Sequence, residues 1–302
     1  MSNLGTVKLL LGLTIVFNLT YSSVRVENIK NKKVKNQIVY LADEKTPFTG
    51  EFVGSGVKEE YENGIKHGNF QGYIYDGEQK FIYEGKYING IKHGTWVIKY
   101  LNGESKVILK YNYDKPNGQW VYFYDNKNVA GYENLEDGIL SGKVVKYSRE
   151  GELLFQLSYT HGLLNGQAIF FHKKEIPETI TNFDYGMLNG EIKMFGKDGV
   201  LMLTGEYKRN LREGIWKFYY KTGDVKTIVN YKNGLKDGQL IIFDKAGLVA
   251  QKSNFKNGDE IDSKGKVVSA NKDFKDSIVR KFKQFNRSLQ YEKYDKILSE
   301  ME

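Results

Sequence analysis

Apolar side chains along this chain follow two interleaved periods. Over short stretches they alternate, as in Val107-x-Leu109-x-Tyr111 and Phe155-x-Leu157-x-Tyr159, with Tyr207, Tyr231 and Phe255 closing the corresponding later stretches. Period two marks a strand with one buried face. Over a longer scale the whole pattern recurs. Gly94, Gly118, Gly142, Gly166, Gly190, Gly214 and Gly238 stand 24 residues apart, without insertion or deletion. A fixed period of about 20 to 50 residues signals a repeat array rather than a set of independent domains.

Each of these glycines serves as position zero of a unit. Position +2 reads Phe70, Trp96, Trp120, Val144, Ala168, Ile192, Trp216 and Leu240. Position +5 reads Tyr73, Lys99, Phe123, Tyr147, Phe171, Phe195, Tyr219 and Phe243, aromatic in every copy but one. Together they predict a short strand. A turn ending on a glycine at +9 follows (Gly103, Gly151, Gly199, Gly223, Gly247), as suits a hairpin loop in which one residue takes positive φ. The alternating stretch is the second strand. The next turn carries another glycine at +20, replaced by Asp114 and Asn210 in two copies. Asp and Asn tolerate the left-handed conformation best after glycine, so the position expresses a backbone requirement and not the close approach of a ligand. The apolar residue after it (Ile91, Ile139, Leu163, Met187, Leu211, Leu235) is expected to tuck the turn against the sheet.

Each unit is then one β-hairpin. About nine units over residues 50–262 predict an all-β repeat array, an elongated, twisted antiparallel sheet of stacked hairpins on the order of 80 Å long at about 4.8 Å per strand. Because +2 and +5 differ in parity, apolar side chains fall on both faces. Stability must come from packing between neighbouring units. The first units are irregular, with Gly50, Gly68 and Gly94 unevenly spaced, as expected at the end of an array.

The flanks differ. Residues 1–22 have a lysine, an apolar run from Leu9 to Phe17, and small residues at Thr20 and Ser22, the layout of a signal peptide cut after Ser22. Export to the periplasm, cell surface or medium is the expectation, with an uncleaved anchor as the alternative. Residues 23–49 form a polar entry and capping segment with one strand, Gln37 to Ala42, and a lysine cluster (Lys30, Lys32, Lys33, Lys35) expected to be solvated. Residues 263–302 form a linker and a C-terminal amphipathic helix, Lys272 to Met301. Its apolar residues Phe274, Ile278, Phe282, Phe285 and Leu289 recur at helical spacing. It is expected to cap the open edge of the last hairpin.

Composition changes this picture little. A net charge of +8 and a pI near 9.1 suit an anionic lipid surface or an acidic partner as well as nucleic acid, and decide none of them. No repeat or motif points to nucleic acid, and none is expected as a partner. The absence of cysteine excludes disulfides, thiolate metal sites and a cysteine nucleophile. Gly138-Ile139-Leu140-Ser141-Gly142-Lys143 looks like a phosphate loop but has three residues between its glycines, and Val144 stands where Ser or Thr must hold the metal. His67 and His93 are polar residues of the marker turn. His161 and His172 lack a second ligand at metal spacing. Asp198, Asp237 and Glu150 sit in turns at repeat-equivalent places. A catalytic centre is a single constellation, so the sequence predicts no enzyme, no metal and no cofactor.

The marker units Tyr231-x-Asn233-Gly234-Leu235-Lys236-Asp237-Gly238 and Tyr87-x-Asn89-Gly90-Ile91-Lys92-His93-Gly94 resemble the bacterial MORN-type repeat (membrane occupation and recognition nexus) over residues 50–262. The resemblance implies an elongated hairpin sheet used as a scaffold or interaction surface. Some members are labelled antitoxin-like, and others accompany lipid kinases or bind phospholipids. A kinase activity is not expected, since no ATP loop or catalytic Asp motif is present. The preferred reading is an exported, non-enzymatic protein that meets another protein through the row Phe123, Tyr147, Phe171, Phe195, Tyr219 and Phe243. A phospholipid surface and a toxin neutralised by this chain are the alternative partners. Repeated aromatic hairpins also occur in choline- and glucan-binding wall repeats, but Trp96, Trp120 and Trp216 are too few to build cages in successive units.

Overall fold

The structure, a computed structural model, describes residues 24–270, 276 and 278–280. It is a single twisted sheet of twenty-three mostly antiparallel strands, open at both ends, with a two-stranded hairpin beside it. From Gly50–Gly54 onward the strands pair antiparallel in sequence order, with Lys115–Pro116 and Gly118–Phe123 sharing Ser105–Asn112 as partner, and Leu163–Leu164 and Gly166–Phe171 sharing Leu153–Thr160. The meander is the one that the 24-residue period predicts.

Two turn chemistries alternate along it. At the +9 end, the Tyr124 N–H donates to the Asn128 carbonyl (2.9 Å) and the Lys127 N–H to the Tyr124 carbonyl (3.0 Å), a type I turn closed by a residue at positive φ. Glycine holds that place in most units, and Lys127 takes it at φ 70. At the +20 end both central residues have positive φ, as in Asn89 (52) with Gly90 (81) and Asn233 (49) with Gly234 (83). That is a type I′ turn, whose twist matches the strands it joins.

The marker glycine itself is not part of a turn. It lies inside the strand at positive φ (Gly142 at 105, Gly190 at 98), where the pairing slips between Glu133 and Leu135, and between Thr181 and Phe183. It is a bulge, and bulges bend and twist a sheet.

Consecutive I′ turns are bonded to one another. The N–H at +20 donates to the carbonyl two residues before the preceding marker: Gly162 to Leu140 (2.8 Å), Gly186 to Leu164 (2.7 Å), Asn210 to Leu188 (2.9 Å) and Gly234 to Arg212 (2.9 Å). Asp114 and Asn210 add a second bond, their Oδ1 accepting from the Lys92 N–H (2.6 Å) and the Leu188 N–H (2.8 Å). The polar residue before the marker completes the link: Glu213 accepts from the Asn233 N–H, and Asp237 from the Asn257 N–H. This edge is therefore a continuous hydrogen-bonded ladder.

One face of the sheet is the core. Trp96, Trp120, Ala168, Ile192 and Trp216 at +2 are fully buried, joined by Leu109, Leu157, Val229, Tyr159 and Tyr207 from the partner strands. The apolar residue expected to tuck each turn inward does not do so. Ile139, Leu163 and Met187 are 49%, 45% and 37% exposed, and the residue after each (Leu140, Leu164, Leu188) is buried instead. Alternation decides this: the residue paired with the buried Leu135, Tyr159 or Phe183 shares its face.

At the entry end, Val26–Asn28 pairs in parallel with the Gly50–Gly54 strand, and Lys32–Lys35 forms a hairpin with Ile38–Leu41. Val39, Phe48, Phe52 and Tyr61 make a small second core beneath them. Lys32 is bonded to the buried Glu59, so the lysine cluster is not simply solvated. At the other end the sheet continues past Asp262. Asp259–Ile261 pairs with Val267–Ser269, inside the stretch read as linker. Most of the expected C-terminal helix lies outside the described residues. Its described part, Asp276 and Ile278 to Arg280, does not sit on the last hairpin. Ile278 and Val279 pack against the main core, and Asp276 bonds to Tyr207 and Arg212, several strands inward from the open edge.

Candidate functional site

The six residues expected to meet a partner form one row. In each unit the strand leaves the core face at +4 and places +5 on the opposite face. Pairing slips there every time, between Tyr122 and Phe123, Lys146 and Tyr147, Phe170 and Phe171, Met194 and Phe195, Phe218 and Tyr219, and Ile242 and Phe243. The extra residue sits on the partner strand, and such bulges re-aim side chains. All six rings are half-buried, and none belongs to the main core cluster. Their neighbours on this face come from +3 and from the following strand, such as Val121 and Tyr132 beside Phe123, and Ile169 and Ile180 beside Phe171. Tyr219 shares a hydrogen bond with Thr204 (3.3 Å) across the strands. Phe243, with Val225, Ile228 and the Lys245 loop, borders an open groove.

A second row stands beside it at +6 and stitches units together. Tyr124 donates to the Tyr147 carbonyl (2.9 Å) and Tyr220 to the Phe243 carbonyl (2.7 Å), while His172 lies 3.1 Å from the Phe195 carbonyl. His172 thereby has a structural place. So do the turn acids: Asp198 accepts from the Val200 N–H, Glu150 bonds Ser148, and Asp237 caps the next turn. Within Gly138–Lys143, the Gly138 N–H is spent on the Pro116 carbonyl and the Lys143 carbonyl accepts from Asn134. Among the described residues no three His, Asp or Glu side chains are grouped to hold a metal, and no helix is long and apolar enough to cross a membrane.

The three tryptophans are fully buried. Trp120 and Trp216 spend their indole N–H on the Lys110 and Glu206 carbonyls. All three rings are spent on packing in the core.

No family model and no curated protein matches this chain. Among solved structures, an alternansucrase in complex with isomaltononaose aligns with 75% of this chain and 18% of its own length, at 12% identity and a TM-score of 0.20. A similarity that distant supports no statement about the fold or activity of this chain.

Two features went unforeseen. One is the exposed apolar stripe on the turn edge, where Ile139 lies against Gly162 and Leu211 against Gly234. The other is a buried charged cluster at Arg212. Its guanidinium lies over the Trp216 ring (4.4 Å) and the Tyr231 ring (5.3 Å), and its Nε donates to Asp276 (2.9 Å). The signal was present in the repeat: Arg212 holds a position that Leu140, Leu164 and Leu188 fill elsewhere.

Proposed function

We propose that this chain is an exported, non-enzymatic scaffold of the MORN type, and that the row from Phe123 to Phe243 is where it meets another protein. The observation that carries this reading is the division of labour between the +2 and +5 rows. From Trp96 to Trp216 the +2 row is enclosed in the core, with Phe70 and Leu240 partly buried at its ends. The +5 row recurs as faithfully but lies on the other face, half-exposed and outside that core. Half-exposed aromatic side chains bring large contact area at a small entropy cost, which suits a protein interface.

Photo-crosslinking tests the surface. A benzoyl-phenylalanine at Phe195, in the producing cell, is expected to trap a protein of discrete mass, lost when Phe171 and Tyr219 are changed to serine. No adduct, or one unaffected by those changes, overturns the assignment. Export is tested separately by fractionation and sequencing of the mature amino terminus, expected at Ser23; an intact Met1 in the cytosol overturns it and favours the toxin-neutralising alternative. Flotation with anionic liposomes at low and high salt addresses the lipid alternative, which fails if no binding occurs at low salt.

A further inference from the structure

The position two residues before each marker lies on the core face, and the repeat supplies its own controls there. Leu140, Leu164 and Leu188 fill it with aliphatic side chains, no more than 2% exposed. Lys66, Lys92, Arg212 and Lys236 fill it with cations over the rings of Tyr87, Tyr111, Tyr231 and Phe255. Arg212 alone among these is forked. Its Nε reaches Asp276 Oδ2 at 2.9 Å, and its Nη1 reaches the Tyr231 hydroxyl at 3.3 Å. Tyr207 donates to the same carboxylate oxygen at 2.8 Å. The other oxygen of Asp276 accepts from the Ile278 N–H at 2.9 Å, where the Arg280 N–H begins a helical turn. Both partners of the ion pair are largely enclosed, with 9% and 16% of their side-chain surface exposed.

Burying such a pair costs desolvation that its attraction only roughly repays, whereas a leucine in this position costs nothing. The pair therefore adds specificity more than stability. Ile278 and Val279 grease the contact, but apolar contacts have no fixed register. One carboxylate held from two directions supplies it.

We propose that Tyr207, Arg212, Trp216 and Tyr231 form a carboxylate receptor on the core face, and that Asp276 of the C-terminal segment occupies it as a displaceable latch. The receptor's chemistry is a flat guanidinium lying over two adjoining rings, Trp216 and Tyr231, with the Tyr207 phenol beside it. It takes an aspartate at the start of a helical turn followed by aliphatic residues, the arrangement of Asp276, Ile278 and Val279. Opening the latch uncovers the core face at Trp216 without unfolding the sheet.

The test uses the full-length chain. Asp276→Asn is expected to speed tryptic cleavage after Arg280 by about tenfold or more, the weight of a lost charge-assisted bond, and to change Trp fluorescence. The sheet's urea midpoint should not move. Arg212→Leu copies the neighbouring units, so it should fold and should release the segment equally. An acetylated peptide of residues 273–284 added in trans should bind the Asp276→Ala chain, bind wild type at least about tenfold more weakly because the site is filled, and fail on the Arg212→Leu, Asp276→Ala double variant. Cleavage unchanged in Asp276→Asn, or peptide binding that ignores Arg212, overturns the proposal.

Discussion

Trp216 and Gly205 show how much one atom matters in this sheet. A Cβ on Gly205 would lie 2.2 Å from the indole, and one on Gly85 would lie 2.0 Å from Trp96. Neither glycine needs an unusual φ, so the demand is for space alone. Gly205→Ala should therefore lower stability by about 1–3 kcal/mol in urea unfolding, more than Gly205 would lose from any backbone effect. Asn210 makes the opposite case. It needs both its φ of 66 and its bond to the Leu188 N–H. Asn210→Gly keeps the first and loses the second, so a drop of about 1 kcal/mol is expected, with Asn210→Ala costing more. Tyr207 adds a pH dependence. Burial, and then the Asp276 carboxylate, push its phenol above the usual 10.0. The folded state keeps this proton when the unfolded state has lost it, so the stabilisation is complete below about pH 10 and falls as pH rises further. Urea midpoints should owe no loss to this group from pH 8 to about 10 and decline above it, and Tyr207→Phe should flatten part of that decline. The Asp and Asn at +20 were legible as backbone requirements in the sequence. Their bond to the preceding turn was not, because no spacing within one unit shows which neighbour lies beside it.

Each strand carries two rows with separate duties. Trp120→Ala empties a fully buried position and should cost about 3–5 kcal/mol. Phe171→Ser, on the half-exposed row, should cost clearly less, and its effect should appear in partner capture. If the two substitutions prove equally destabilising, the +5 row is core and the proposed interface fails. Parity placed these rows on opposite faces from the sequence alone. Parity also settles the turn residues, where the expectation was wrong: Leu163 faces out and Leu164 in, because Leu164 pairs with the buried Tyr159. Treating the I′ turn as a loop hid the fact that its strand resumes at once.

Along the whole molecule the units repeat their mutual contacts as well as their own structure. The turn ladder joins each unit to the next by bonds that recur every 24 residues, and Tyr124 and Tyr220 add links on the opposite edge. Removing residues 143–166, one full period, should leave a folded sheet with a proportionally smaller urea m-value. Removing one residue fewer should unfold the array locally, since the ladder and the alternation lose register together. Circular dichroism and urea titration distinguish these outcomes. At this scale the sequence by itself determined the hairpin, its turns, its period and the inside or outside parity of its strands, because these follow from local backbone chemistry repeated without interruption. Only the tertiary structure decided that neighbouring turns bond into a ladder, that the entry segment pairs in parallel with the first hairpin, and that Asp276 lies against Arg212 instead of the open edge. Those contacts join residues far apart in the chain or in different units, and the twist and bulges of the assembled sheet, which no single repeat encodes, bring them together.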